Sequence, residues 1–259
     1  MAERYYWPND RAQQRVVKPG DRAELSGDEA HHLTRVMRQK TGDTVVLFDG
    51  NGCEFSAKII ETRKSLVALT ILDVRQIDTE SARRVTIIIS LPKGDRQKWL
   101  VEKLTELGCH SLIPLRTERT VTQCSEQVLE RLQRQVLEAT KQCNRSQLMA
   151  IFPEKGIADC MKDDNDATGL IAHPLSDGDF GQLPLSELTQ MVLPKRVLIL
   201  IGPEGGFTAS EVERAVELGF RPIDLGPRIL RVETAAIMMT TLVTSLPDSK
   251  CPEECVKNR

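Results

Sequence analysis

Two short stretches of this chain combine residue types from which chemistry can be built. In the first, an apolar run at residues 197–201 stops at Gly202-Pro203-Glu204-Gly205-Gly206. In the second, an extended piece at residues 222–225 ends at Gly226-Pro227, and Arg231-Val232-Glu233-Thr234 then leads into an apolar helix. Glycines at a strand end let a ligand lie against bare backbone. Beside them, Arg228, Arg231 and Glu233 bring fixed positive charge and a carboxylate to a helix start, the material of charge stabilisation and proton transfer.

Neither loop is a common phosphate cradle. Residues 202–206 lack the G-K-[ST] ending that grips phosphate and magnesium, and they do not form G-x-G-x-x-G. They also follow the fifth strand of their domain, whereas a dinucleotide fingerprint occupies the first turn. Alone, this stretch reads as a glycine-rich turn between strand and helix. Paired with the second loop, it reads as one wall of a site.

The elements that must position these loops alternate. Residues 85–91 (VTIIISL) form a continuous β-branched run, typical of a strand buried on both faces. A helix is expected over 95–107, with Leu100, Leu104 and Leu107 on one side and Gly108 as its stop, then a strand at 111–115. Residues 127–143 form a long amphipathic helix with Val128, Leu132, Val136 and Ala139 inward. Further strands are expected at 148–152, 169–172, 197–201 and 223–225, and helices at 210–218 and 233–246. Thr208 and Glu211 make a T-x-x-E capping box, and Gly219 suits the far end of that helix. Such alternation predicts an α/β domain with a mainly parallel sheet covered on both faces. The front of the chain is different. Runs at 44–49, 54–60 and 66–72 are short and β-rich, with Gly50-Asn51-Gly52 as a turn, and 28–38 carries a helical stripe of Ala30, Leu33, Val36 and Met37. A small barrel is expected there. The polar stretch 76–84 serves as linker, giving domains 1–76 and 77–259.

Composition narrows the class. Of 259 residues, 40% are hydrophobic and 28% charged, and no apolar run approaches the roughly 20 residues of a membrane span. The first residues lack the apolar core of a signal peptide. The seven cysteines are scattered, odd in number and without C-x-x-C, which favours reduced thiols over disulfides or zinc; Cys251 and Cys255, in a polar tail, read as an incidental pair. The expectation is a cytoplasmic protein without metal or membrane. Net charge is −2, but residues 83–145 hold 12 basic against 7 acidic side chains, and residues 146–259 hold 11 against 17. That basic middle permits nucleic-acid contact, and a solvated helix surface explains it equally well.

The two loops give the chain its resemblance. Leu200-Ile201-Gly202-Pro203-Glu204-Gly205-Gly206 and Leu225-Gly226-Pro227-Arg228-Ile229-Leu230-Arg231-Val232-Glu233-Thr234-Ala235 resemble the SPOUT class of RNA methyltransferases, and within it the bacterial RsmE family that methylates uracil at ring nitrogen 3 in 16S ribosomal RNA. Supporting stretches are Pro92-Lys93-Gly94-Asp95-Arg96, Lys103 to Gly108, Pro114, Glu118-Arg119, Glu138-Ala139, Gln142, Arg145, His31-His32-Leu33, Arg35 to Arg38, and Phe48-Asp49-Gly50. Lys141 departs from the pattern, standing where the family usually has an acidic residue, and the tail 247–259 has no counterpart.

The resemblance implies a PUA-like β-barrel in front of a SPOUT-type, trefoil-knotted α/β domain, a homodimer whose sites both subunits line, and S-adenosylmethionine as cofactor. It assigns the cofactor to His173, Leu200, Ile201, Gly202, Pro203, Glu204, Gly205, Gly206, Leu225, Gly226, Ile229, Leu230, Thr234 and Ala235, although His173 reads equally as a structural histidine. The imide N–H of uracil is a weak acid, so its nitrogen must lose a proton as it attacks the methyl group. Arg231 is the candidate to stabilise the resulting anion and Glu233 the candidate orienting carboxylate or base. Glu233 as a helix cap paired with an arginine is the competing reading, and Glu204 a second candidate base. Arg4, Arg35, Arg38, Lys93, Arg96, Arg119 and Arg145 are the expected RNA contacts, on 16S rRNA within the small ribosomal subunit. The rivals are a SPOUT enzyme acting on ribose 2′-hydroxyl or transfer RNA, against which the Arg231 to Thr234 run speaks, and a non-catalytic RNA-binding module, which the intact loops disfavour.

Overall fold

The computed structural model describes residues 3–8, 16–63, 65–160 and 166–246, so the tail with Cys251 and Cys255 lies outside the described residues. The chain divides into two compact units, Met1–Glu80 with Leu137–Leu148, and Ser81–Val136 with Met149–Arg259. The linear division expected at residue 76 differs from this at the boundary and in segment 137–148, which the front unit holds by ion pairs no sequence window contains.

In the front unit, β1 (Arg4–Tyr6), β2 (Arg22–Ser26), β3 (Thr44–Phe48), β4 (Cys53–Thr62) and β5 (Leu66–Gln76) form one sheet in the order β1-β3-β4-β5-β2. Only β1 with β3 is parallel; the rest are antiparallel. Alternation decides the inner face: β2 and β4 bury every second side chain, as a half-buried sheet requires. Tyr5, Leu25, Leu47, Phe55, Ile59, Leu69 and Ile71 fill the core against Leu33. Register shifts at Ser56/Ala57 and Ile59/Glu61 are bulges that curl the sheet about that core. The expected helix over 28–38 is shorter: α1 (Gly27–His31) passes into a π-helical turn, His32–Val36, and Arg38 leaves it at φ 54°. Thr34 Oγ1 donates to the Ala30 carbonyl at 2.8 Å, and Met37 N bonds His32 O five residues back, which loosens the ladder.

The second unit is the alternating one. β6 (Arg84–Ile89), α2 (Arg96–Glu106), β7 (Ser111–Arg116), α3 (Glu126–Gln142, its last turns in the front unit), β8 (Ala150–Ile151), β9 (Lys155–Gly156), β10 (Thr168–Ala172), β11 (Leu183–Pro184), α4 (Leu185–Leu188), β12 (Arg196–Ile201), α5 (Ala209–Glu217), β13 (Phe220–Asp224) and α6 (Val232–Ser245) follow in order. The sheet runs β11-β13-β10-β12-β6-β7-β8, with β9 beside β7, and every pair is parallel. β6 and β12 lie at its centre, and β12 is buried from Val197 to Ile201, as its unbroken apolar run predicts. β13 follows β12 in sequence yet lies beyond β10, and α6 then returns to pack against β6, β12 and α2.

Candidate active site

Parallel register brings the candidate loops together. Ala172 at the end of β10 lies opposite Ile201 of β12 on one side and Ile223 of β13 on the other. Three adjacent strands therefore finish level, and their following loops emerge on one edge. His173 and Pro174, the 202–206 loop and residues 224–226 and 228–231 line a single cavity of about 450 Å³. The carboxyl edge of a parallel sheet is where α/β proteins bind ligands, and this volume suits a small molecule.

Local chemistry shapes each wall. A Cβ at Gly202 would lie 2.9 Å from the Phe207 ring, so glycine is required where that ring closes the cavity floor. Gly206 N bonds the Pro203 carbonyl at 2.9 Å, turning the loop, and Arg119 Nη1 donates to the Gly205 carbonyl at 2.7 Å. The capping box forms as expected: Glu211 N donates to Thr208 Oγ1, and Thr208 N donates to Glu211 Oε2. Gly226, at φ 102°, turns back so that its N–H reaches Asp224 Oδ1 at 3.3 Å. Arg231 then caps α6 in extended conformation, exposed at the cavity rim. Glu233, on the first helical turn, is buried. Its Oε2 accepts no hydrogen bond among the described residues and lies 3.7 Å from Arg96 Nη1, while Arg96 Nη2 donates to Glu204 Oε1 at 3.0 Å.

Of the expected cofactor residues, His173, Ile201, Gly202, Pro203, Glu204, Gly205, Gly206, Leu225, Gly226, Ile229, Leu230 and Ala235 line the cavity, as does Arg231. His173 is buried, edge-on to Phe180, with its backbone N–H on the Ile223 carbonyl. Two residues depart from the lining. Leu200 alternates to the opposite side of β12 and is fully buried in the core, and Thr234 projects from α6 into solvent. Ala172, Phe207 and Asp224 line the cavity without having been singled out, and Pro174, Arg228 and Val232 join them there. Each borders a motif residue in sequence, which was the available signal.

The expected RNA contacts divide. Arg4 and Arg145 are buried. Arg4 donates to the Arg145 carbonyl at 2.9 Å and Ser146 Oγ at 2.8 Å, pairs with Glu54 at 2.5 Å, and lies over the Phe48 ring. Arg145 forks onto Glu80. A buried, paired guanidinium is not presented to phosphate. Arg96 and Arg119 are engaged with the cavity loops. Arg35, Arg38 and Lys93 are exposed, and Arg35 shares a surface cleft with Lys40 and Arg63. Among the described residues no cluster of three His, Cys, Asp or Glu is placed to hold a metal, and no helix is long and apolar enough to cross a membrane.

The chain matches the family model described as an RNA methyltransferase domain over residues 79–244, and that of an RNA methyltransferase PUA domain over residues 25–72. It is 32% identical to ribosomal RNA small subunit methyltransferase E of Synechocystis over 87% of this chain and 73% of the relative. The enzyme of the same name from Bacillus subtilis is 29% identical, with 85% and 88% covered. A crystal structure of ribosomal RNA small subunit methyltransferase E from Neisseria gonorrhoeae, bound to S-adenosyl methionine, superposes with a TM-score of 0.81 at 28% identity, covering 95% of this chain and 98% of that one. A front PUA-like unit and a mainly parallel α/β unit are thus the shared fold.

Proposed function

The chain belongs to the ribosomal RNA small subunit methyltransferase E family, and on that premise we propose that it transfers the methyl group of S-adenosylmethionine to ring nitrogen 3 of one uridine in 16S ribosomal RNA. The observation that carries this reading is the convergence of three loops on one cavity with Arg231 among its lining, and with Arg96 facing buried Glu233 and binding Glu204 of the lining.

The cavity fits the cofactor on its own chemistry. Gly202 brings backbone close where a Cβ would meet Phe207, which suits a base recognised by main-chain groups. Ile201, Leu225 and Leu230 offer an apolar wall, and Glu204 and Asp224 offer carboxylates to a cation. When bound, S-adenosylmethionine supplies an electrophilic methyl on a sulfonium. The protein's task is the uracil. Arg231, exposed at the rim, stabilises negative charge developing on the ring as N3 loses its proton. Glu233 orients the ring or accepts that proton. Arg35, Arg38 and Lys93 hold phosphates without reading bases.

Ile229 stands at the cavity with 90% of its surface exposed. We further propose that the working form is a cytoplasmic homodimer acting on RNA of the small subunit, in line with the name its relatives carry.

The test uses purified protein, S-adenosylmethionine labelled in its methyl group, and small subunits that lack the modification. After digestion the label is expected in 3-methyluridine. Label in ribose, or no transfer, overturns the reading.

A further inference from the structure

Arg96 opens α2 at the same sheet edge as the cavity, because β6 ends beside β12 with Ile89 opposite Ile201. From there it spans two motifs far apart in sequence. One end of its guanidinium meets Glu204 of the 202–206 loop at 3.0 Å, and the other lies 3.7 Å from Glu233 on α6. The two carboxylates differ sharply in exposure, 45% for Glu204 and 6% for Glu233. The base of Arg96 is fixed, since the neighbouring Gln97 donates to the Pro92 carbonyl at 2.7 Å and accepts from Arg131.

We propose that Arg96 is a positioning residue for methyl transfer, tying the cofactor loop to Glu233 rather than gripping RNA. A buried carboxylate with an oxygen that accepts no hydrogen bond is costly unless a cation faces it. Arg96 is such a cation, and it sits just beyond hydrogen-bond range of Glu233 because it is shared with Glu204. The Glu204 contact is half-exposed and so contributes little. When a ligand draws Glu204 toward its own positive charge, the guanidinium is released to complete its bond to Glu233. A planar fork with several donors can serve two carboxylates in turn; the point charge of lysine serves one.

The inference rests on the methyl-transfer reading, and the experiment separates the two. Cofactor affinity is measured by calorimetry, and single-turnover transfer at saturating cofactor and RNA. Arg96→Ala is expected to slow transfer by about tenfold or more while the cofactor Kd moves less than about threefold. Arg96→Lys should recover part of the rate, and Arg96→Ala should add little to Glu233→Gln in the double variant. Arg96→Gln, which removes the charge and is too short to reach either carboxylate while keeping a polar side chain, gives the same reading where the alanine variant fails to fold. An unchanged saturating rate with a weaker RNA Kd and a salt slope reduced by about one identifies a phosphate contact and overturns the positioning role alone. Fully additive losses in the double variant also overturn it. A wild-type protein that transfers no methyl overturns both readings.

Discussion

Arg119 Nη1 reaches across from the loop after β7 to the carbonyl oxygen of Gly205 at 2.7 Å. The neighbouring Glu118 N–H is held by Glu211 Oε1 at 2.8 Å, and Glu211 also closes the cap of α5. The glycine loop is thus fastened from outside by an arginine and from behind by a helix cap. Arg119→Ala removes a charge-assisted hydrogen bond worth about 1–2 kcal/mol at such an exposed site, so cofactor affinity should fall by about 5- to 30-fold. Calorimetric titration with S-adenosylmethionine checks this. Because the Arg119 guanidinium is engaged with the loop, the RNA Kd measured without cofactor should stay within about twofold.

Lys141 stands in the last turn of α3, and the front unit shows what it does. Its Nζ is paired with Glu29 Oε1 and lies 3.4 Å from Glu138 Oε1. With side chains 16% and 15% exposed, Lys141 and Glu29 form a largely buried pair. Lys141→Glu would place a third carboxylate there and should cost about 3 kcal/mol, read as a lower denaturant midpoint. Glu29→Lys combined with Lys141→Glu restores opposite charges and should recover most of that loss.

The sequence made some of this legible and not the rest, for physical reasons. β6 and β12 were visible because a strand buried on both faces writes itself as an unbroken β-branched run. The Thr208–Glu211 cap was visible because its partners are three residues apart. β1 was not: Arg4 to Tyr6 become a strand only by pairing with Val46 to Phe48. The same distance hid the fate of the arginines. Arg4 reads as a surface cation until Glu54 and Ser146 close around it, and Arg96 meets a residue 108 positions away. The cavity's loops were readable as motifs, whereas Phe207 and Asp224 joined them only through packing and strand register.

Cys160 gives a pH signature. Burial pushes its thiol from 9.0 up to about 11, with Lys155 pulling down and Asp159 pushing up, and its Sγ–H donates to the Gly156 carbonyl at 3.1 Å. The folded protein therefore favours the neutral thiol. The resulting stability is complete below pH 9, declines as pH rises toward 11, and is gone above it. Within that window unfolding free energy should drop by up to about 1.4 kcal/mol per pH unit from this group. Denaturant titrations at pH 8.5 and 10.5 measure the difference, and Cys160→Ala should reduce it. At pH 8 the native thiol should alkylate far more slowly than the unfolded one.

The arginines that proved buried and the cations that remain exposed predict opposite failures. Lys93 and Arg38 are exposed, so replacing either with alanine should leave thermal stability unchanged. Each should weaken RNA binding and lower the slope of log K against log salt by about one, the mark of a lost phosphate contact. Arg4 has Glu54, Ser146 and the Arg145 carbonyl around it, and Arg4→Ala leaves Glu54 without its cation. That variant should lose about 3 kcal/mol of stability with its salt slope intact wherever it remains folded. Thermal melts and RNA titrations over 50–200 mM salt decide the matter together. An intact melt with a reduced slope for Arg4→Ala would return that residue to the RNA surface and remove the buried ion pair from the account of the front unit.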